Sequence, residues 1–402
     1  MSSQKAFTLI ELLVVIAIIA ILAVVVVLTL NPAALLQQSR DSQRLSDMST
    51  LNDALGIFSA NNTNSSAWGS ASTTYVSIPD PLATSTLGDQ CQGLNLPALS
   101  SGDTYQCPAS SNSRNTDGTG WIPVDFNSLP TGSPVGTLPV DPTNQSSSGL
   151  FYTYTTDGTN YEVTSILESQ KYKAQYAASP QTPLFPEVLT QGTNLSLSEL
   201  FNPNGLVGYW PLNEGSGSTA NDLSGNGNNG TWSGTQAGSS GYYSGGKVGA
   251  WAGYFNGSND YIAITSNLNS YTAITIAAWI APATTGYMHY FTGDGAYLAS
   301  SAGGIMFAIN GWGIGYLTTS AALKTGWNYV VATWNGVTGT IYINGVSVGS
   351  SPASGTGSAT GDNKIGSCTG CGTFFQGTID DVRVYNRAFS PAEIQALYNA
   401  EK

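Results

Sequence analysis

Glu11 is the residue whose surroundings most clearly call for chemistry, because it is an acid at the start of an apolar run. Residues 12–28 consist only of Ala, Val, Ile and Leu, and Lys5 lies before the run. A carboxylate in a membrane-spanning helix costs roughly 2.5–3.5 kcal/mol, which makes it a functional-site hypothesis by default. A nearby cation would recover much of that free energy, since opposite charges attract strongly in a low dielectric. The sequence therefore predicts a positively charged partner for Glu11.

Four cysteines beyond the apolar run form two closely spaced pairs. Cys91 and Cys107 bracket a loop rich in Gly, Pro and Ser, and only Thr and Gly separate Cys368 from Cys371. Four cysteines allow three connectivities, of which we expect Cys91–Cys107 and Cys368–Cys371, formed in an oxidising compartment.

The Cys-x-x-Cys pair has two alternative interpretations. A zinc site would need further ligands, and the only histidine, His289, is distant in sequence. A redox centre would place the pair at the start of a helix, whereas residues 364–366 before it belong to a strand-rich region. We interpret Cys368 and Cys371 as a structural disulfide.

The composition favours an exported protein without nucleic-acid contacts. Only 9% of the 402 residues are charged, against about 25% in a typical soluble protein, and Ser, Thr, Asn and Gly supply the polarity instead. The formal net charge is -12, so no basic stripe is available to neutralise phosphates. Direct binding of nucleic acid is therefore not expected.

The N-terminus resembles the signal of type IV pilins and of the pseudopilins of type II secretion systems. Phe-Thr-Leu-Ile-Glu at residues 7–11 matches the family pattern letter for letter, after a leader of residues 1–6. The resemblance implies that a prepilin peptidase cuts after Ala6, leaving Phe7 as an N-methylated first residue. Ala6 departs from the usual Gly at that position, although the side chain remains small.

The same resemblance implies a partner for Glu11. The amino group of Phe7 in a neighbouring subunit would pair with Glu11 and set the axial register of a filament. Before assembly, the helix would be inserted in the inner membrane as a single pass. The alternatives are an ordinary single-pass anchor and a secretory signal peptide. The run of residues 12–28 is longer than the roughly 7–15 apolar residues of a secretory signal and about as long as a spanning segment.

One long helix is predicted over residues 7–60, apolar at first and amphipathic after the membrane half. Asn31 and Pro32 interrupt it, because proline removes a backbone donor and bends or opens a helix. A globular head is predicted for residues 61–170.

A hairpin forms part of this predicted head. Residues 151–155 and 161–166 are rich in aromatic and β-branched residues, and Asp157 and Gly158 lie in the turn between them. A small antiparallel sheet should therefore cover the apolar face of the helix.

Charged residues of the helix and head receive two interpretations. Arg40, Asp41 and Arg44 are placed on the solvated face of the helix. Some secretion pseudopilins hold calcium near the hairpin, so Asp141 and Asp157 are weak calcium candidates, with ordinary turn roles as the alternative.

Residues 171–204 are predicted to be a linker. Pro180, Pro183 and Pro186 recur within polar sequence of poor periodicity, and proline-rich linkers are extended and semi-rigid. Such a stalk would hold the following domain clear of a filament.

Residues 205–402 resemble the laminin-G-like, concanavalin A-like jelly-roll family. Short strands separated by Gly- and Ser-rich turns favour a sandwich or jelly roll independently. The resemblance is carried by residues 205–217, 222–230, 255–262 and 379–390.

Calcium is the cofactor that this second resemblance implies. Many members of the family bind it through carboxylate and backbone oxygens, and Asp222 and Asp380 match the expected positions, with Asn226 as a further candidate. Hard cations favour such oxygen clusters. The alternative is that Asp222 caps a turn and Asp380 accepts from a backbone amide.

We do not expect catalysis, although glycanases share this fold. Their usual Glu-x-Asp-x-x-Glu motif is absent from the sequence, and adjacent Asp380 and Asp381 should point to opposite faces of a strand. The candidates for a sugar-binding platform are aromatic residues in or near Gly-rich loops, namely Trp232, Tyr242, Tyr243, Trp312 and Tyr316.

The expected fold is an α+β pilin module, a long helix plus a small antiparallel sheet, followed by an all-β jelly-roll sandwich. The expected function is that of a type IV pilin-like subunit, minor or at the tip, that displays a lectin-like adhesion domain on an extracellular filament. Its partners would be other pilin subunits, the prepilin peptidase and a surface glycan or protein. The alternatives are a secretion pseudopilin and a membrane-tethered glycan-active enzyme.

Overall fold

The computed structural model describes most of the chain. The leader, the cleavage and methylation site at Ala6 and Phe7, and the three prolines of the predicted linker lie outside the described residues. The structure describes residues 9–62, 64–83, 91–96, 98–99, 103–177, 185, 187–201, 204–235, 241–264, 272–284, 286, 288–293, 296–301, 304–309, 314–319, 322–352, 363–368 and 371–402.

Two consecutive helices begin the structure, α1 (Leu9–Leu30) and α2 (Pro32–Asn61). The predicted interruption is confirmed, and it divides the expected single helix into two. Asn31 adopts a left-handed conformation with φ 39°, and its Oδ1 accepts from the Ala34 amide at 3.3 Å, which caps α2. Pro32 is tolerated at the first position because its missing N–H would have no helical partner there. Within the described part of the chain, no helix combines the length and apolarity that crossing a bilayer requires.

A five-stranded sheet packs on α2. Its order is β2-β1-β3-β4-β5, with β1 and β2 parallel and the other pairs antiparallel. The predicted hairpin is confirmed as β3 and β4, joined by a turn in which Gly158 has φ 87°. The strands are β1 (Thr73–Val76), β2 (Thr104–Gln106), β3 (Thr153–Thr156), β4 (Tyr161–Ile166) and β5 (Val188–Gly192).

The amphipathic pattern of α2 explains this packing. Leu51, Leu55 and Phe58 recur at helical spacing, and their side chains are buried against aromatic residues of the sheet, such as Tyr154 and Tyr161. Together they form the core of the head.

The segment predicted to be a linker contains regular structure instead. Helix α3 (Gln170–Ala177) begins it, β5 pairs with β4, and Leu200 and Phe201 are buried. The prediction of an extended stalk is therefore wrong for these residues. Strand β5 forms hydrogen bonds with the backbone groups at the edge of β4, and the apolar side chains of Leu200 and Phe201 are buried in a core.

The described strands of the C-terminal part form two facing eight-stranded sheets. The first has the order β19-β18-β17-β12-β23-β10-β9, with β6 also paired to β23, and the second has the order β16-β15-β14-β13-β20-β11-β8-β7. Strands β21 and β22 form a separate pair. The strands are β6 (Leu206–Trp210), β7 (Thr219–Ala220), β8 (Gly230–Ser233), β9 (Tyr243–Gly245), β10 (Trp251–Asn256), β11 (Tyr261–Ile264), β12 (Ile274–Pro282), β13 (Met288–Gly293), β14 (Ala296–Ser301), β15 (Gly304–Ile309), β16 (Ile314–Thr318), β17 (Asn328–Trp334), β18 (Thr338–Ile343), β19 (Val346–Pro352), β20 (Lys364–Ile365), β21 (Ser367–Cys368), β22 (Thr373–Phe374) and β23 (Gln376–Tyr385).

Both faces of the first sheet are buried. Along β12, Ile276 and Ile280 point into the core between the two sheets, whereas Ala277 and Trp279 belong to a second core on the outer face. Alternate side chains of a strand point to opposite faces, so the nearly continuous apolar run of β12 reflects two separate contacts.

Helix α4 (Pro391–Glu401) covers this outer face and joins the sandwich to the head. Ser390 caps it and exchanges hydrogen bonds with Glu393. The Ala392 amide donates to the Ala98 carbonyl at 3.1 Å, and Lys173 Nζ donates to the Ala400 carbonyl at 2.7 Å. The head and the sandwich therefore share one apolar interface, with α4 between them.

Candidate functional site: the N-terminal helix and the polar loops of the sandwich

The described side chains of α1 form an exposed apolar surface. Leu9 is 78% exposed and Ile10 is 74% exposed, and every residue from 9 to 20 is exposed. Glu11 lies among them in the first helical turn. Contiguous apolar surface of this kind marks a site of contact with a protein or a membrane. The pairing of Glu11 with Phe7 of another subunit stays a prediction.

Farther along, α2 carries a buried ionic cluster that corrects the predicted solvated face. Arg44 and Asp41 are both fully buried. Arg44 donates to both carboxylate oxygens of Asp141, at 2.6 and 2.9 Å, and also to Asp41 at 2.8 Å and Glu168 at 2.6 Å. Burial acts to lower the pKa of Arg44, but the hydrogen bonds and charge of Asp141 outweigh it, and the pKa is raised.

This cluster also decides the interpretation of the two head aspartates. Besides Arg44, Asp141 accepts from the amides of Thr143 and Asn144, so its oxygens are occupied by donors. Asp157 accepts from amides of its own turn, at 2.8 and 2.6 Å. These contacts agree with the turn and ion-pair roles, and calcium binding at Asp141 and Asp157 stays a prediction.

Asp222 organises the polar loop that follows β6. Its Oδ1 accepts from the amides of Tyr209 and Ser224, each at 2.9 Å. Its Oδ2 accepts from the Asn228 amide and the Ser224 hydroxyl, each at 2.8 Å. Four donors thus surround this carboxylate, as the turn-cap alternative expects, and calcium binding at Asp222 stays a prediction.

Asn226 lies in the same loop with a different orientation. Its Nδ2 donates to the carbonyls of Leu206 and Val207, at 2.9 and 3.1 Å. The amide therefore ties the loop to β6 through its donor end.

Asp380 lies in another environment, inside β23. Its Oδ2 accepts from the amides of Lys247 and Val248, at 2.7 and 2.9 Å, and its Oδ1 is buried without a hydrogen-bond partner among the described residues. Burial, followed by the charge of Asp381, raises the pKa of Asp380 well above its usual range. A carboxylate held in this way is stabilised in its protonated form.

The alternation expected for Asp380 and Asp381 is broken by a bulge. The register between β12 and β23 shifts at this point, and Asp381 has φ 53°. Both carboxylates are fully buried, and Asp381 contacts Arg383 at 3.0 Å. Neither lies on the surface that a polysaccharide would reach.

A cluster of side chains that could act as metal ligands lies elsewhere in the sandwich. Among the described residues, the group of three potential ligands that lies close together is His289, Cys368 and Cys371, and not the set predicted for calcium. The sequence analysis set His289 aside as a zinc ligand because it is distant in the chain, but the fold brings it next to the cysteines.

Both predicted disulfides are present in the structure. Cys91–Cys107 lies in the core that the head shares with the sandwich, and Cys368–Cys371 closes the β21–β22 turn.

Burial corrects the predicted aromatic platform for Trp232, Tyr242 and Tyr243, whereas Trp312 and the side chain of Tyr316 lie outside the described residues. Trp232 and Tyr242 stack with ring centroids 4.7 Å apart, and the Trp232 indole donates to the Tyr243 hydroxyl at 3.1 Å. All three rings belong to the core between the sheets. Their role is packing and not ligand contact.

Comparison with known families agrees with both resemblances. The prokaryotic N-terminal methylation motif matches residues 1–27, and the concanavalin A-like lectin/glucanases superfamily matches residues 256–395. The chain joins a pilin-type methylation motif to a concanavalin A-like domain. In the structure that domain extends to β6, because β6 pairs with β23 in the same sheet.

Solved structures similar to the chain include domains of two other proteins. Domain 4 of AbnA, an extracellular arabinanase from Geobacillus stearothermophilus solved with arabinotriose, shares 20% identity, covers 48% of this chain and 98% of its own, and has a TM-score of 0.38. The binding domain of Paraclostridial Mosquitocidal Protein 1 shares 18% identity over 49% of this chain and 52% of its own, with a TM-score of 0.37. A comparison with curated proteins found no match.

Proposed function

We propose that this chain is a pilin-like subunit of a cell-surface filament, and that its concanavalin A-like domain binds a surface glycan or protein without catalysis. The observation that carries the proposal is the exposed apolar surface of α1 with Glu11 in its first turn, directly within the region matched by the methylation motif. A filament core buries such helices against one another.

The N-terminal region fits a route from membrane to filament. The apolar run of residues 12–28 inserts in the inner membrane as the precursor, and the prepilin peptidase removes residues 1–6. The amino group created on Phe7 pairs with Glu11 of an adjoining copy, because each charge alone would be costly in an apolar environment.

The head and sandwich fit the display of a binding domain. The small sheet packed on α2 supports a pilin-type head, and α4 packs the sandwich against it. A domain of this bulk would crowd its neighbours if every subunit carried it, which favours a minor or tip subunit.

We favour a binding role over a catalytic one because the adjacent acids of β23 are buried inside the domain. Asp380 and Asp381 are fully buried, and Asp381 is engaged with Arg383. A retaining glycanase needs two accessible carboxylates about 5 Å apart, so this pair supports a structural role.

Replacing Glu11 by Ala in the producing cell tests the filament role. We expect the variant to reach the membrane but to be lost from purified surface filaments, measured by immunoblotting of the membrane and filament fractions. Asp53→Ala removes an exposed carboxylate from α2 and provides the matched control, which should incorporate normally. Normal incorporation of Glu11→Ala, or the absence of the wild-type chain from filaments, would reject the proposal.

A further inference from the structure

We propose that His289, Cys368 and Cys371 form a redox-gated site for a thiophilic divalent metal ion such as Zn²⁺. In the oxidised state the two cysteines form a disulfide. After reduction by a dithiol, their sulfurs and the His289 imidazole become three ligands of one ion. This inference is independent of the proposed filament function.

The positions of the donor atoms carry the proposal. One ligand atom from each of the three residues lies within 4.8 Å of the others, and His289 Nε2 is 4.0 Å from Cys371 Sγ. In tetrahedral zinc sites, bonds of about 2.3 Å to sulfur and about 2.0–2.1 Å to nitrogen place such atoms roughly 3.5 Å apart. A displacement of about half an ångström therefore brings His289 and Cys371 to ligand separation.

The imidazole is already oriented by a neighbouring side chain. His289 belongs to β13, and its Nδ1 lies 2.7 Å from Thr373 Oγ1 on β22. Thr373 is also the strand partner of Cys368, so the β21–β22 pair positions the sulfur and the orienting hydroxyl together. In the tautomer whose Nδ1–H donates to Thr373, Nε2 would carry the lone pair on the side of Cys371, an arrangement typical of metal-ligating histidines.

Burial gives the site an inner wall and an outer opening. His289 is 1% exposed and Cys368 is 7% exposed, whereas Cys371 is only half-buried. An ion would enter from the side of Cys371, where water can supply a fourth ligand, as in zinc sites with three protein ligands.

Reduction of the disulfide and binding of the metal require only a dithiol and the ion. The dithiol transfers two electrons and two protons to the Cys368–Cys371 disulfide, which becomes two thiols while the dithiol becomes a disulfide. Binding of Zn²⁺ then releases both thiol protons to solvent, because thiolates are the ligands. Two thiolates neutralise the ion, so the half-buried site carries no net charge.

Metal binding to the full-length chain in detergent micelles tests the proposal. The protein is reduced with dithiothreitol, desalted anaerobically, and titrated with Zn²⁺ against a chromophoric chelator, alongside an oxidised sample. We expect about one more equivalent of Zn²⁺ in the reduced protein, and Co²⁺ in its place should give thiolate-to-metal charge-transfer absorption. Equal uptake by the reduced and oxidised wild-type protein would overturn the proposal, whether or not any variant folds.

Variants assign the bound ion to this site. Cys371→Ser should abolish the extra equivalent, and His289→Gln should weaken it at least tenfold. The double variant Cys91→Ser, Cys107→Ser removes the other cysteine pair and should retain it. Loss of the extra equivalent in that double variant, or unchanged affinity in folded His289→Gln, would contradict the assignment.

Discussion

Arg44 and Asp141, 97 positions apart in the chain, form a two-point ion pair that is fully buried beneath α2. The pair ties the helix to the loop before β3, and Glu168 and Asp41 complete the coordination of the guanidinium. Helix α2 is thereby anchored to the head by charge as well as by packing.

Removing one member of this pair should be strongly destabilising. Asp141→Ala leaves Arg44 buried without its main partner, and we expect a loss of about 3–5 kcal/mol in the free energy of unfolding. Arg40→Ala is the matched control, because Arg40 also binds Glu168 but is partly exposed, and its loss should cost about 1 kcal/mol or less. Urea denaturation followed by circular dichroism measures both, and equal losses would show that burial does not decide the effect.

The stability should fall as the pH rises from about 4.5 to about 7, in part because of Glu162. Burial raises the pKa of Glu162 to about 7, although two short bonds from the amides of Leu197 and Ser198 act in the opposite direction. In this interval the folded state keeps a proton that the unfolded state has released, so raising the pH favours unfolding by up to about 1.4 kcal/mol per pH unit.

Glu162→Gln isolates that contribution. The amide oxygen still accepts from both backbone amides but does not titrate in this range, so the decline between pH 5 and pH 7.5 should become shallower. Asp53→Asn, an exposed acid on α2, should leave the slope unchanged. Denaturation midpoints measured across this range test the difference, and parallel decline of Glu162→Gln and the wild type would contradict the assignment.

The contact between the head and α4 should be sensitive at Gly149. This glycine has φ +74°, and a Cβ there would lie 2.6 Å from Asn399 Cβ. Gly132 has φ +76° and no atom within 4 Å of its added Cβ, so Gly132→Ala controls for backbone strain of about 1–2 kcal/mol. We expect Gly149→Ala to be the less stable variant and to accelerate amide hydrogen exchange in α4. The same exchange rates in both variants would mean that α4 does not rest on the head.

Calcium should leave the stability of the Asp222 loop unchanged, because four protein donors occupy that carboxylate. We expect equal melting temperatures for the wild type in calcium and in chelator. Asp222→Ala should melt at a lower temperature in both, since the loop loses its acceptor. A calcium-dependent rise in the wild type that disappears in Asp222→Ala would restore the calcium hypothesis.

Polysaccharide assays on the full-length protein should separate binding from hydrolysis. We expect retention on a glycan or protein ligand without release of reducing ends. Release of reducing ends that persists through purification would favour the alternative of a membrane-tethered glycan-active enzyme.

The sequence predicts features that depend on neighbouring residues, such as turns and helix caps, but not contacts between residues far apart in the chain. The β3–β4 hairpin follows from Asp157 and Gly158 in its turn, and the start of α4 follows from Ser390 and Pro391, because each signal acts within a few residues. Arg44 was placed in solvent because nothing near it in sequence shows that Asp141 will lie beside it.

The same limit applies to the interface between head and sandwich. The apolar run of β12 did contain a signal, since a strand with one solvated face alternates polar and apolar residues. The partner that buries Trp279 on that strand comes from α4, more than one hundred residues later in the chain.

The wedged position of α4 has a mechanical consequence. Tension applied to a ligand held by the sandwich would load the seam between the two modules in shear, across packed side chains and the Lys173–Ala400 bond. A flexible linker would extend before it transmitted such a force. Because α4 packs against both the head and the sandwich, the force would pass directly to the head, and the sandwich would keep its orientation relative to the head.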